Sequence, residues 1–193
     1  TTRYLSNATG GTWTLTNTTP GDVLAHQVSI VNDSATDHSA KTAALTGTDA
    51  DGRAQLETIN LPAASATVES TKFFLTLTSV VPSATIGADT MDIGIVDEVA
   101  SQTIPLDWHA RTPATIHVVV TGTINYDVEG TLESPFTRTT GQFADNTAPF
   151  TFTDQSDLNW VNDANFAART ATTLDDLALA GYRAIRVVIN SYS

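Results

Sequence analysis

The sequence contains no cysteine, which excludes disulfide bonds, thiolate catalysis and cysteine-based metal sites. Basic residues are scarce too: there are 9 Lys and Arg against 21 Asp and Glu, and the formal net charge is −12. This charge repels phosphate backbones and anionic lipid, so neither nucleic acid nor a membrane surface is expected as a partner. Apolar runs long enough to span a bilayer are also missing, as is a signal-peptide pattern.

Enzyme motifs are missing as well. No Gly-x-Ser-x-Gly elbow and no Gly-rich phosphate or dinucleotide loop occurs. The histidines show no metal-ligand spacing and are interpreted as structural or surface residues; they are His26, His38, His109 and His117. We therefore predict no catalytic residue, no cofactor and no metal site, and we do not expect an enzyme.

Threonine is abundant, with 34 residues in a chain of 193. Its branched side chain fits a pleated, half-exposed surface and favours strands over helices. Apolar residues alternate with polar ones in most segments, including Leu24 to Ile30, Met91 to Ile95 and Ile185 to Ile189. Turn residues separate these segments at the spacing of sandwiches and barrels. The sequence predicts an all-β fold of two small sandwich or jelly-roll modules with at most one short helix.

The first module contains a predicted hairpin at residues 49–52, Asp-Ala-Asp-Gly. The apolar parity switches across this turn, which predicts that Leu45 lies opposite Leu56 on one face. The turn also resembles the start of a calcium loop, but Asn60 occupies the position of the bidentate glutamate. A plain hairpin turn is the favoured interpretation.

Two local predictions concern the second module. The segment 115–132 keeps one apolar parity across Gly122, which indicates a hairpin with an odd loop or bulge at residues 121–123. A Thr-x-x-Asp pattern after Thr172 resembles a capping box and predicts a helix of one or two turns. Asp175 and Asp176 are adjacent and are interpreted as charges at the N-terminus of that helix.

Alternation breaks at the charged stretch 97–100, which predicts a boundary between an N-terminal module, residues 1–97, and a C-terminal module, residues 98–193. Trp13 and Trp108 follow the parity of core residues and are expected to be buried. Trp160 lies in a polar stretch and is the candidate for an exposed aromatic contact. The Asn-x-Ser/Thr patterns at Asn7, Asn17 and Asn32 are interpreted as chance matches in a Thr-rich chain.

Several runs resemble a family of tailed-bacteriophage virion proteins. They are LTGTDADGRAQLETI (45–59), STKFF (70–74), LTSV (77–80), SQTIPLDW (101–108), VVVTGTINY (118–126) and RAIRVVINSY (183–192). The resemblance covers most of the chain in two modules, and its motifs mark strands and turns rather than an active site. Members of this family usually continue past the Ser-Tyr with one further strand. This chain is therefore expected to be truncated or to have its last edge covered by a neighbouring chain or loop.

The resemblance implies a structural role in the virion. We expect a head decoration or cement protein that binds the major capsid protein on the outer capsid surface, as a homotrimer or another homo-oligomer. Synthesis in the reducing host cytoplasm fits the absence of cysteine, and Thr1 fits removal of an initiator methionine. The alternatives are a head-fibre, tail-fibre or adhesin module that binds host glycans through Trp160, and a tail-tube or connector component.

Overall fold

A computed structural model of the chain describes residues 3–106, 114–137, 151–178 and 181–192. In these ranges it contains fifteen strands, one short 3-10 turn at Gln155–Asp157 and no α-helix, so the predicted all-β fold is confirmed. No helix in the described ranges has the length and apolar character needed to cross a bilayer. The chain divides into two compact units, unit 1 (Thr1–Ala100) and unit 2 (Ser101–Ser193).

Unit 1 is built from seven strands in two antiparallel sheets. The strands are β1 (Arg3–Ala8), β2 (Ala25–Asn32), β3 (Thr42–Thr48), β4 (Ala54–Asn60), β5 (Thr67–Phe74), β6 (Thr76–Pro82) and β7 (Met91–Ala100). The larger sheet has the order β5-β2-β7-β1, and the smaller sheet has the order β4-β3-β6. Period-two alternation directs one face of each sheet towards a shared core.

The core of unit 1 takes apolar side chains from both sheets, which makes the unit sandwich-like. Val28 and Ile30 of β2 and Leu45 of β3 are fully buried in one cluster, together with Leu77 of β6. Trp13 lies outside the strands and packs into this cluster, and its burial is as predicted. Two sheets therefore share one hydrophobic interior in this unit.

The chain passes from the larger to the smaller sheet at the junction of β5 and β6. Only Leu75 separates the two strands, and its amide donates to the carbonyl oxygen of Thr48, at 2.8 Å. This corner crosses directly over Gly47 of β3. A side chain at position 47 would overlap the carbonyl oxygen of Thr76, so glycine is required here by close backbone approach.

The β3–β4 hairpin is confirmed in its position, but the predicted register is wrong. Leu45 pairs with Glu57, whereas Leu56 pairs with Thr46. Leu45 is fully buried and Leu56 is 59% exposed, so the two leucines lie on opposite faces of the sheet. The loop covers residues 49–53, one residue longer than predicted, and this extra residue reverses the parity.

Polar side chains of β4 are directed inwards because they bind the backbone of β5. The Gln55 amide nitrogen donates to the carbonyl oxygen of Phe73, at 2.8 Å. The Glu57 carboxylate accepts hydrogen bonds from the backbone amides of Thr71, at 2.8 Å, and Lys72, at 3.1 Å. These bonds join β4 of the smaller sheet to β5, the end strand of the larger sheet.

Unit 2 contains eight strands among its described residues. They are β8 (Ile104–Pro105), β9 (Thr115–Val118), β10 (Ile124–Thr131), β11 (Phe136–Thr137), β12 (Thr151–Phe152), β13 (Val161–Asn162), β14 (Thr173–Asp176) and β15 (Ala184–Tyr192). Strands β13, β10, β15 and β8 pair in that order, and β9–β14 and β11–β12 form two-stranded ribbons. Tyr126, Val128, Phe166, Leu177, Tyr182 and Ile185 form its core.

Two predictions for unit 2 are wrong. The strand break at residues 121–123 exists, but β9 pairs with β14 and β10 pairs with β15, so β9 and β10 do not form the predicted hairpin. The segment after Thr172 is strand β14 rather than a helix. Its Leu174 is 67% exposed while Leu177 is buried, because Leu177 follows the strand and turns into the core.

Candidate functional site

The predicted contact residue Trp160 is half-buried in unit 2. Its indole N–H donates to the carbonyl oxygen of Gln155, at 2.8 Å. The guanidinium carbon of Arg186 lies 4.7 Å from the centroid of the indole ring, within the range of a cation–π interaction. Both the polar edge and one face of the ring are therefore engaged inside the protein.

Arg186 connects Trp160 to a polar cluster formed by β10, β15 and the 3-10 turn. Its Nε donates to Oε2 of Glu129 at 2.6 Å, and its Nη1 donates to Oε1 of Gln155 at 3.2 Å. Gln155 in turn donates to the hydroxyl of Thr103, at 3.0 Å. The side chains of Arg186 and Glu129 are 11% and 18% exposed. This arrangement fixes the position of the indole and holds the 3-10 turn against the sheet.

Two histidines are buried and have defined partners. His26 is fully buried, with Nδ1 at 2.9 Å from the carbonyl oxygen of Val96 and Nε2 at 2.8 Å from a carboxylate oxygen of Asp22. His38 lies between Asp89, at 3.0 Å from Nε2, and Lys41, at 3.0 Å from Nδ1. Both imidazoles tie a loop to a strand or to another loop, in agreement with a structural role.

The other two histidines have different outcomes. His117 is exposed on β9, where it pairs with Leu174 of β14. His109 lies outside the described residues, as does Trp108. The described residues bring together no group of three or more His, Asp or Glu side chains that could hold a metal ion.

Asp22 has a lowered pKa. Burial alone would raise the pKa of its carboxyl group, but the hydrogen bond and charge of His26 and the amide of Leu24 outweigh burial. The Asp22 side chain is 41% exposed, and solvent screens the pair.

We expect the Asp22–His26 contact to make unit 1 sensitive to acid. A carboxyl whose pKa is lower in the folded than in the unfolded state stabilises the fold above its unfolded pKa, near 3.8, and this stabilisation is lost as the pH falls through the lower, folded value. Urea unfolding at a series of pH values should show a smaller loss of stability below about pH 4 for Asp22→Asn than for the wild type. Asp33→Asn, at an exposed aspartate, is the control; equal acid sensitivity in all three proteins would contradict the prediction.

Other residues singled out in the sequence also serve the architecture. Asp49 accepts hydrogen bonds from the amides of Asp51 and Arg53, at 2.9 and 2.8 Å, so its carboxylate closes the hairpin loop. Asn32 is buried, and its amide nitrogen donates to the carbonyl oxygen of Ala63, at 2.9 Å, which places it out of reach of glycosylation. Asp175 and Asp176 lie on β14 and not at a helix terminus.

The smaller sheet of unit 1 has an outward surface that the sequence analysis did not predict. It carries Ala54, Leu56, Thr58 and Asn60 of β4, Thr42, Ala44, Thr46 and Thr48 of β3, and Thr76, Ser79 and Val81 of β6, here called the uncharged face. None of these eleven residues is ionisable, although the chain has a net charge of −12. Leu56 and Val81 are its large apolar residues, 59% and 56% exposed.

The parity error at β4 explains why the uncharged face was missed. Once Leu56 is assigned to the core, Gln55 and Glu57 are assigned to the outward face, which then resembles an ordinary polar surface that carries charge. The signal that identifies the face is the run of uncharged residues at alternate positions of β3 and β4 and at the positions of β6 that pair with them, read in the correct register.

No protein-family model, curated protein or solved structure matches this chain.

Proposed function

We propose that this chain is a structural protein of a tailed-bacteriophage particle, specifically a head decoration or cement protein that binds the outer capsid surface and stabilises it. The observation that carries the proposal is the uncharged face on a rigid antiparallel sheet in a strongly acidic protein. A face of this kind suits a protein that crowds on a shell, because neighbouring copies can come close there without any ionised group losing its hydration.

The organisation of the buried polar groups supports the same role. Asn32, Glu57 and Gln55 cross-link loops and strands, and the Glu129–Arg186 pair holds the 3-10 turn. These polar side chains make the fold rigid, because their donors and acceptors bond to other groups of the same chain. The sequence resemblance supplies the virion context, and the acidic charge favours the outside of the shell over the DNA-filled interior.

The test is made on particles. We expect heads assembled without this protein to release their DNA at a lower temperature than complete heads, and added purified protein to restore the higher temperature. Antibodies to the protein should label intact particles in electron micrographs. Unchanged thermal release together with no co-sedimentation of the protein with heads would overturn the proposal, and labelling confined to the tail would assign the protein to a tail component instead.

A further inference from the structure

We infer that the uncharged face is a contact surface between two copies of this chain, related by a two-fold axis parallel to β3. This inference rests on the proposed function for the setting in which it operates, a shell surface where copies are crowded. The contact itself is a property of the isolated protein and can be tested without particles.

The first argument is that charge limits where two copies of this chain can touch. Each copy has a formal charge of −12, so two copies repel each other at most approaches. At physiological salt this repulsion is screened over about 8 Å, and close contact is then limited by the charges at the contact itself. The uncharged face contains none of the 21 acidic residues, and it offers no acidic group to a basic partner.

Register is the second argument. In β3, Thr46 pairs with Leu56 on one side and Ser79 on the other, and Ala44 pairs with Thr58 and Val81 in the same way. The two large residues, Leu56 on β4 and Val81 on β6, therefore lie on opposite sides of β3.

A two-fold axis parallel to β3 places β4 of one copy over β6 of its partner. Each residue stays at the same height along the strand direction. Leu56 then meets the partner's Ser79, and Val81 meets the partner's Thr58. The central strands meet at Ala44 and Thr46, which have short side chains. The face is self-complementary because each large residue is placed against a smaller one.

Area sets the strength of the contact. Three strands about 4.8 Å apart and seven residues long cover a few hundred Å². Stable complexes bury about 800 Å² per partner, so this contact alone is weak. It becomes populated when copies are held close together, because tethering on a common surface raises the effective concentration to the millimolar range.

The experiment measures self-association of the full chain in solution. NMR spectra recorded up to about 1 mM should show concentration-dependent shifts at amides of β3, β4 and β6. Leu56→Lys should weaken this association at least about tenfold, although it lowers the net repulsion, because the contact would bury an unpaired ammonium group. Leu174→Lys is the matched control, an exposed strand leucine of unit 2 that should leave the association unchanged.

Chemical crosslinking gives a second readout that tolerates weak binding. Because the chain has no cysteine, Thr46→Cys introduces a single thiol next to the inferred axis. Packed sheets lie about 10 Å apart and each thiol reaches about 3 Å into that gap, so a bifunctional thiol reagent of about 4 Å span should crosslink this variant far more efficiently than Leu174→Cys. Equal crosslinking of the two variants, shifts outside the smaller sheet, or wild-type association by Leu56→Lys would overturn the inference.

The outcomes separate this inference from the proposed function. A protein that self-associates through the uncharged face but ignores phage heads would overturn the proposed function and leave the contact standing. A protein that stabilises heads but stays monomeric at about 1 mM would overturn the contact alone.

Discussion

Replacement of Gly47 by alanine is expected to destabilise unit 1 by about 3 kcal/mol. The new methyl group would overlap the backbone carbonyl oxygen of Thr76 and lie 3.0 Å from Cδ1 of Phe74. Thr76 belongs to the corner that joins the two sheets, and its hydroxyl bonds to that of Thr48, at 2.8 Å. The corner has to move away from β3 to admit the methyl group, which disturbs packing on both sides of the core.

Urea unfolding followed by circular dichroism measures this loss, and hydrogen exchange of the β3 amides locates it in unit 1. Gly11→Ala is the control, because the nearest atom to a methyl group there is Cβ of Thr85, at an ordinary distance of 3.6 Å. We expect this control to stay within about 0.5 kcal/mol of the wild type. Equal urea midpoints for Gly47→Ala and Gly11→Ala would show that the corner between β5 and β6 is not packed on Gly47.

Removal of the Glu129 carboxylate is expected to have the second large effect, about 3 kcal/mol in unit 2. Glu129→Ala leaves the largely buried guanidinium of Arg186 without its partner at 2.6 Å. Loss of the ion pair also frees Arg186 from its place over Trp160, so the indole environment should change. Urea unfolding gives the loss in stability, and tryptophan fluorescence at low denaturant reports on the indole.

Two further variants separate the ion pair from a general effect of losing a glutamate. Glu133→Ala removes a carboxylate that binds the exposed Asn159, and we expect a much smaller loss of stability. The double variant Glu129→Leu/Arg186→Met replaces the pair with apolar side chains of similar size and should recover most of the stability. A double variant as unstable as Glu129→Ala would contradict the view that loss of the carboxylate beside Arg186 is what destabilises unit 2.

The sequence predicted the fold class correctly because alternation is a local property. It failed at β4, where the inward-facing positions include Gln55 and Glu57 and the outward-facing ones include Leu56. A rule that places apolar residues inside assigns this strand to the wrong face. The reason is a long-range contact: Gln55 and Glu57 bind the backbone of β5, and of the inward side chains of β4 Ile59 packs against the apolar core.

The same limit explains the errors in unit 2. The Thr-x-x-Asp pattern after Thr172 suits a helix cap, but the segment finds a strand partner in β9, more than fifty residues earlier in the chain. Pairing with a distant strand overrides a weak local propensity.

Trp160 shows the corresponding limit for the candidate site. Its sequence neighbours are polar, and they indicate exposure. The indole is half-buried. It contacts the carbonyl of Gln155, five residues earlier, and the guanidinium of Arg186, which β15 brings over one face of the ring. Of these two contacts, only that with Gln155 is close enough in sequence for a local pattern to indicate it.

The hydrogen bonds between side chains of β4 and the backbone of β5 limit how unit 1 can associate with another chain. At an unprotected sheet border an incoming peptide can add as an extra strand, and this is a route to swapped dimers and fibres. Here Glu57 already occupies the amides of Thr71 and Lys72, and Gln55 occupies the carbonyl of Phe73. A foreign strand would have to displace these side chains at all three positions, so polymerisation through this border is disfavoured.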